Sequence, residues 1–117
     1  MREILFKAKI LNSDEWIEGY YVKGATRHCI LKNLTGYPKW DIDPNTLCQY
    51  TGLIDNNGDK IWENDIVRLD EDLYIVTWEE DDAMFALEDV GIVEHFSNVD
   101  SKWCEIIGNK FDNPDLI

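Results

Sequence analysis

Two runs of acidic residues are the strongest candidates for chemistry in this sequence, because clustered carboxylates can hold Ca²⁺ or Mg²⁺. The runs are Asp70-Glu71-Asp72 and Glu79-Glu80-Asp81-Asp82. With a bound metal they could serve a hydrolase or nuclease that acts on phosphate esters. Adjacent residues of a strand point to opposite faces, so consecutive carboxylates converge only where a loop curls them. We therefore favour solvated charge at both runs and keep the metal-dependent hydrolase as the alternative function.

The segment Asp55-Asn56-Asn57-Gly58-Asp59 has the composition of a calcium-binding loop. Such a loop needs Gly at its sixth position and Glu at its twelfth. With Gly58 sixth, the first position is Leu53 and the twelfth is Asn64, so both end ligands are missing. Asn-Gly is instead typical of a primed hairpin turn, which needs positive φ angles. The sequence predicts a tight turn at this segment.

Thiol and imidazole groups are the other candidates for chemistry. His28 and Cys29 are neighbours on a predicted strand and point apart, so they cannot form a nucleophile–base pair. A pairing of Cys48 or Cys104 with His95 stays open geometrically, although no motif supports it. A zinc site needs about four Cys or His ligands, usually in close pairs, and the spacing here is scattered. We expect thiols that pack in a core, and we predict no catalytic residue, metal ligand or cofactor.

The tryptophans are the most distinctive apolar residues. Four of them lie in or beside predicted strands, where burial in a core explains them: Trp16, Trp62, Trp78 and Trp103. The fifth, Trp40, lies with Tyr37 in a Pro-flanked stretch. For Trp40 we keep two interpretations, core packing and an exposed interface anchor.

Alternation with a period of two dominates the chain and predicts strands. Residues 4–10 and 16–22 alternate on either side of a turn at 12–14, which predicts a hairpin. Residues 91–99 have apolar residues at helical spacing and allow one short helix. Further strands are predicted at 28–31, 47–51, 61–62, 66–69, 73–78, 83–87 and 103–107. The sequence therefore predicts a mainly β fold, either all-β or β-rich α+β, arranged as a small antiparallel barrel or sandwich.

The length of 117 residues fits a single domain, 1–117. A turn-rich stretch at residues 37–46 is either a surface loop or a joint between two halves, and we favour the loop. Three cysteines without a close pair indicate reduced thiols. No signal peptide precedes the first strand, and no run approaches the roughly 18 apolar residues that span a bilayer. We expect a cytoplasmic protein that does not bind membranes.

Charge is unevenly distributed along the chain. Residues 1–46 carry seven Lys/Arg and six Asp/Glu, for a charge of +1, and residues 47–117 carry four and eighteen, for −14. Such a field repels phosphate groups, so we expect no direct binding to nucleic acid. An anionic membrane surface is disfavoured for the same reason.

Three segments, in this order, form a pattern that is more specific than any one of them. They are Met1-Arg2-Glu3-Ile4-Leu5-Phe6-Lys7-Ala8; Gln49-Tyr50-Thr51-Gly52-Leu53 through Asp55, Asn57-Gly58 and Lys60-Ile61-Trp62-Glu63 to Asp65-Ile66-Val67; and Ile106-Ile107-Gly108-Asn109-Lys110-Phe111-Asp112-Asn113-Pro114-Asp115-Leu116. The pattern resembles the YopX-like family of bacterial phages and prophages. The resemblance implies a mainly β fold and a phage or prophage origin. It implies no known activity and no site residues.

One residue departs from the family pattern. The family usually has Gly before the Asp-Ile-Val sequence, and this chain has Asn64. Asn adopts the left-handed backbone conformation more readily than other residues with a side chain, so we expect the turn to persist. Residues 9–46 and 70–102 carry no part of the resemblance, and we expect functional differences within the family to lie there.

These observations favour a non-enzymatic interaction protein. An acidic β surface, mostly from residues 55–100, would face a basic protein partner or a second copy of the chain. A sharper version is a nucleic-acid mimic, whose carboxylates replace phosphates in the basic groove of a DNA-binding protein. The plain alternative is an acidic surface that serves solubility alone.

Overall fold

The structure of the chain is a computed structural model, which describes residues 4–33, 38–80, 83–89, 92–95 and 101–117. Contacts between residues divide the chain into two compact units, Met1–Tyr50 and Thr51–Ile117, which we call unit 1 and unit 2. The division falls after the stretch at 37–46, inside a strand. That the units form one domain stays a prediction.

The division between the units coincides with the change in charge along the sequence. Residues 47–50 are Leu, Cys, Gln and Tyr, so they add no charge to the first part of the chain. Unit 1 therefore carries +1 and unit 2 carries −14. The acidic surplus belongs to one unit.

Unit 1 is built on an antiparallel sheet with the strand order β4-β3-β2-β1-β5. Its strands are β1 Phe6–Lys9, β2 Trp16–Lys23, β3 His28–Leu31, β4 Lys39–Asp41 and the start of β5 Cys48–Ile54, and a 3₁₀ helix covers Pro44–Thr46. β1 and β2 pair from Phe6 opposite Gly19 to Lys9 opposite Trp16. The hairpin predicted from alternation at the start of the chain is confirmed.

The sheet of unit 1 closes on itself at one end. Ile10, just after β1, forms a bridge with Ile42, just after β4. The backbone N–H of Leu11 donates to the Asp41 carbonyl over 2.9 Å, and the N–H of Asp43 donates to the Lys9 carbonyl over 2.9 Å. Inside this closure lie Ala8, Ile30 and Ile42, packed against Phe6, Ile17, Tyr21 and Leu47.

The prediction of a loop over residues 37–46 is wrong for Lys39–Asp41, which form β4. Trp40 lies opposite Ile30 of β3 and is half-buried. A strand of three residues is too short to show alternation, and Pro38 before it is tolerated because the first position of a strand accepts proline. The pairing of β4 with β3 depends on residues outside this stretch, so the composition of residues 37–46 alone did not predict it.

Unit 2 contains a second antiparallel sheet with the order β10-β9-β8-β7-β11. Its strands are β7 Asp65–Leu69, β8 Asp72–Glu79, β9 Met84–Asp89, β10 Ile92–His95 and β11 Cys104–Asn109, while β6 Lys60–Trp62 pairs with the end of β5 and a 3₁₀ helix covers Pro114–Leu116. The core of this unit consists of Ile61, Val67, Val76, Phe85, Leu87 and Cys104. The mainly β, antiparallel fold predicted from the sequence is confirmed.

The short helix allowed near residues 91–99 is wrong over Ile92–His95. These residues form β10, in which Ile92 lies opposite Asp89 and His95 lies opposite Ala86 of β9. Pairing with the edge of β9 satisfies backbone N–H and C=O groups of these residues. The adjacent Ile92 and Val93 are β-branched and favour a strand. Residues 91 and 96–99 lie outside the described part of the chain. Within the described ranges, no helix has the length and hydropathy needed to cross a bilayer.

The turn between β6 and β7 depends on Asn64, whose φ of 74° lies in the left-handed region. The persistence of this turn without glycine, expected from the sequence, is confirmed. Its backbone is bonded on both sides: the Asn64 N–H donates to the Val76 carbonyl over 2.7 Å and the Asn64 carbonyl accepts from the Lys110 N–H over 3.0 Å. The buried Asp65 carboxylate accepts from the Trp62 N–H over 2.8 Å. The turn therefore orients β7 against both of its neighbours.

The end of β11 contains a bulge that requires glycine. The register with β7 shifts between Ile106 and Gly108. The side-chain oxygen of Asn113 accepts from the Asn109 N–H over 3.2 Å, and the Asn109 side-chain oxygen accepts from the Phe111 N–H over 3.0 Å. A Cβ at Gly108 would overlap the Asn113 side chain, so this close approach excludes larger residues.

We expect Gly108→Ala to lower the free energy of unfolding by about 1–3 kcal/mol, because the added methyl must displace Asn113. Gly24→Ala is the matched control, since a Cβ there meets only the Arg27 carbonyl at 3.4 Å. Urea unfolding followed by circular dichroism measures both variants. Equal stability of the two variants would show that the Asn113 side chain moves aside without cost.

Candidate functional site

The carboxylate of Asp55, the first residue of the segment at 55–59, is 4% exposed and faces backbone groups. Its Oδ1 accepts from the N–H groups of Asn57 and Asp59, each over 2.9 Å. Its Oδ2 accepts from the Ile106 N–H over 3.1 Å. Gly58 adopts a φ of 84°, as a tight turn requires. The predicted tight turn is confirmed, but its primed form is wrong, because Gly58 has a positive φ and Asn57 does not. Asp55 is a structural acceptor within this turn.

This turn also covers an open sheet edge. β11 is the last strand of its sheet, so one row of its backbone groups lacks a neighbouring strand. The Cys104 carbonyl accepts from the Asn56 N–H over 3.0 Å, and Asp55 takes the N–H of Ile106. Exposed edges invite pairing with other chains, and covering them prevents it. The turn at residues 55–59 and the start of β11 therefore form one bonded structure.

The two buried thiols serve packing. Cys48 donates to the Thr46 carbonyl over 3.2 Å, and Cys104 donates to the Ser101 carbonyl over 3.3 Å. Both cysteines are almost fully buried, and Cys104 belongs to the core of unit 2. The side chain of His95, their suggested partner, lies outside the described residues. Packing, as expected from the sequence, accounts for both thiols.

His28 and Cys29 point apart, as expected for neighbours on a strand. The Nδ1 atom of His28 lies 2.6 Å from the Tyr21 hydroxyl, and the two rings stack. The Cys29 thiol donates to Oδ1 of Asp41 over 3.4 Å, across the β3–β4 pair. The two side chains therefore join different neighbours, and no nucleophile–base pair exists between them.

The surroundings of Cys29 keep its thiol protonated. Burial is the largest cause that raises the pKa of Cys29, followed by its hydrogen bond to Asp41 and the charge of that carboxylate. Lys39 and Arg27 oppose this increase to a smaller extent. Since the thiolate is the nucleophilic form, a raised pKa makes Cys29 a poor nucleophile near neutral pH.

The first acidic run lies at the tip of the β7–β8 hairpin. Asp70, Glu71 and Asp72 are all exposed, and Asp70 has a φ of 58°. In the second run Glu79 is half-buried at the end of β8 and Glu80 is exposed, while residues 81–82 lie outside the described residues. Over the described ranges, no three His, Cys, Asp or Glu side chains form a group that could hold a metal ion. Nothing in that part of the chain supports the metal-dependent hydrolase.

The tryptophans are less buried than the sequence predicts. Trp62 is in the core at 5% exposure, and Trp16 is half-buried beneath the ammonium groups of Lys7 and Lys9. Core burial is wrong for Trp103, which is 75% exposed, and for Trp78, which is 40% exposed and packs edge-to-face on Phe85. Trp40 is half-buried, so its interpretation as an exposed interface anchor is not supported.

The exposure of Trp103 follows from strand alternation. Cys104 and Ile106 face the core of unit 2, so the residue before Cys104 faces away from it. If the sequence analysis had taken Cys104 and Ile106 as the core-facing positions of this strand, it would have predicted an exposed Trp103. Trp103 directly follows Ser101 and Lys102, which line a groove of about 370 Å³ together with Gly52, Leu53, Ile54, Asp55 and Asn56. This groove and Trp103 form the candidate site, which sequence reasoning missed.

We expect Asp55→Ala to lower the free energy of unfolding by about 3 kcal/mol, because three backbone N–H groups lose their acceptor. Asp55→Asn should cost less, since an amide oxygen can still accept from Asn57 and Asp59. Asp59→Ala, at an exposed side chain, is the control and should change stability little. Denaturant unfolding measures all three, and a loss at Asp59→Ala equal to that at Asp55→Ala would contradict the role of the buried carboxylate.

We expect Cys29 to be alkylated by iodoacetamide with a pH midpoint above that of an ordinary thiol. Asp41→Asn should move the midpoint to lower pH, because it removes the carboxylate charge that disfavours the thiolate. Asp14→Asn, at a fully exposed carboxylate, should leave the midpoint unchanged. Mass spectrometry of the modified peptide gives each rate. An Asp41→Asn profile identical to that of the wild type would refute the assigned cause.

Comparison with known proteins identifies the family of the chain. The family model of the YopX protein matches residues 6–117. This span begins at β1, includes the turns at Asp55 and Asn64, and ends with the last 3₁₀ helix. No curated protein matches the chain. The resemblance found in the sequence is therefore confirmed, and the chain belongs to the YopX family.

Proposed function

We propose that this YopX-family chain is a phage- or prophage-derived, non-enzymatic interaction protein of the bacterial cytoplasm. Unit 2 presents an acidic β surface to a basic protein partner. The observation that carries this proposal is the charge difference between the units, +1 against −14. A field of that size attracts cationic surfaces and accelerates their association.

The described carboxylates of unit 2 divide into three groups by exposure. Asp55 and Asp65 are buried and accept hydrogen bonds from backbone N–H groups. Two others, Glu63 and Glu79, are half-buried. The rest are exposed to solvent: Asp59, Asp70, Glu71, Asp72, Glu80, Glu88, Glu105, Asp112 and Asp115. The two buried carboxylates hold the fold, and the exposed ones are accessible to a partner.

Solubility alone does not require this distribution. A small domain stays soluble with a net charge of magnitude about 2–8, and unit 2 exceeds that range. Excess like charge destabilises the compact state through self-repulsion, so its concentration in one unit carries a cost. A cationic partner relieves that repulsion on binding. A sharper form of the proposal is that the carboxylates replace nucleic-acid phosphates in the groove of a DNA-binding protein.

The experiment measures affinity for a fluorescein-labelled arginine-rich peptide by anisotropy, over a series of salt concentrations. One variant combines Asp70→Asn, Glu71→Gln and Asp72→Asn. The matched control combines Asp14→Asn, Glu15→Gln and Glu18→Gln, which removes the same charge from exposed positions of unit 1. We expect the unit 2 variant to bind about fivefold to tenfold more weakly, as three exposed charge pairs contribute about 0.3–0.5 kcal/mol each. The unit 1 variant should bind as the wild type does.

Three results would contradict the proposal. The first is no binding of the wild type at low salt. The second is an equal loss in both variants, which would mean that only net charge matters. The third is hydrolysis of a phosphate ester by the purified chain with added Mg²⁺ or Mn²⁺. Competition between the chain and duplex DNA for a basic DNA-binding protein would support the sharper form, and simultaneous binding would exclude it.

A further inference from the structure

Trp103 is an exposed aromatic residue at the acidic end of unit 2. At 75% exposure it is the most exposed large apolar side chain among the described residues. Tryptophan is enriched at the energetic centres of protein interfaces, because its large ring gains much from being covered. Its indole face also attracts cations more strongly than the rings of Tyr and Phe do.

The fold places acidic turns on both sides of Trp103. Cys104 lies opposite Leu69 in the β11–β7 pair, so Trp103 comes next to the tip formed by Asp70, Glu71 and Asp72. On the other edge of β11, the Cys104 carbonyl is bonded to the N–H of Asn56 in the turn at residues 55–59. Trp103 therefore precedes a residue that is paired on both sides, and the turn next to each partner carries exposed carboxylates.

The groove lined by Ser101 and Lys102 supplies an apolar surface. Leu53 and Ile54 line it, and Ile54 is 48% exposed. Ser101 is buried, and the Asp55 carboxylate is held by backbone N–H groups, so the wall is set by the fold. A volume of about 370 Å³ is at the lower end of the range of about 300–1,000 Å³ for small-ligand sites, which suits one or two side chains of a peptide.

We infer that this groove, together with Trp103, which follows Lys102 of its lining, is the docking site for an arginine-bearing segment of the basic partner. The inference rests on the proposed function and names its anchor. Arginine fits better than lysine because its planar guanidinium stacks on an indole and is weakly hydrated. Its apolar stem lies along Leu53 and Ile54, and the carboxylates of the β7–β8 tip compensate its charge.

A second copy of this chain is a poor occupant of the groove. Its unit 2 carries the same −14 and is repelled, while its unit 1 carries only +1. Charge complementarity therefore favours a foreign, basic segment. Light scattering that shows a dimer broken by Trp103→Ala would contradict this choice.

Substitution of Lys102 should strengthen peptide binding, whereas loss of the carboxylates weakens it. Lys102 lines the groove and is exposed, so its positive charge disfavours an incoming guanidinium. Lys102→Gln should strengthen binding about threefold, in line with a few tenths of a kcal/mol for an exposed charge. Lys110→Gln is the matched control, since Lys110 is also exposed and lies over the Phe111 ring. It changes net charge equally, away from the groove lining.

The experiment uses the full chain and the same labelled arginine-rich peptide, with a lysine-rich peptide of equal length beside it. Trp103→Ala should weaken arginine binding about fivefold, because an indole–cation contact contributes about 1 kcal/mol. Trp103→Phe should retain part of the affinity, and Ile117→Ala, at another exposed apolar residue, should retain all of it. The lysine peptide should bind more weakly than the arginine peptide. Thermal unfolding of each variant verifies that the fold is intact.

The outcomes separate the two proposals. Absence of binding by the wild type would overturn the proposed function and the docking site together. Loss of binding on neutralising Asp70, Glu71 and Asp72, but not in Trp103→Ala, would overturn the docking site and leave the acidic surface. Equal affinities for the arginine and lysine peptides would refute stacking on Trp103. Equal gains in Lys102→Gln and Lys110→Gln would place the peptide elsewhere.

Discussion

The buried carboxylate of Asp55 joins the turn at residues 55–59 to β11 in unit 2. Asp55 accepts two N–H groups of its own turn and a third from Ile106, which is 51 residues away in sequence. A hydrogen bond to a charged group stabilises by about 1.5–3 kcal/mol, and an unpaired buried group costs a similar amount. The same interactions cover the edge of β11 and set the position of Trp103. The fold and the candidate site therefore share this constraint.

The chain uses its carboxylates in two physically different ways. Asp55 and Asp65 are buried where several backbone N–H groups need an acceptor, and burial of a carboxylate is tolerated only with such partners. The carboxylates at the hairpin tip remain in water, which solvates their charges and spares them the cost of burial. Because the buried acids are occupied by the backbone, they are not available to bind a metal or move a proton. The exposed acids retain their field at long range.

The sequence predicted correctly those strands and turns that are specified by residues adjacent in sequence. Alternation identified the β1–β2 hairpin, and β-branched and aromatic residues identified β8. The left-handed preference of asparagine predicted that the turn at Asn64 persists without glycine. β4 and β10 were missed because each is short and depends on a neighbouring strand for its backbone hydrogen bonds. The exposure of Trp103 was missed because it depends on which residues of β11 face the core. The bond between Asp55 and Ile106 has no local signal at all.

The segments that identify the family are those that fix the backbone. The central segment supplies Asp55, Asn64 and Asp65, and the closing segment supplies Gly108 and the Asn109 turn, all of them engaged with backbone groups or close packing. Such residues specify a fold without specifying a ligand. The acidic tip at residues 70–72 lies outside them, and its side chains are exposed. Because these framework residues are engaged by the backbone while the side chains of the tip are open to solvent, recognition is to be sought at the tip and the groove.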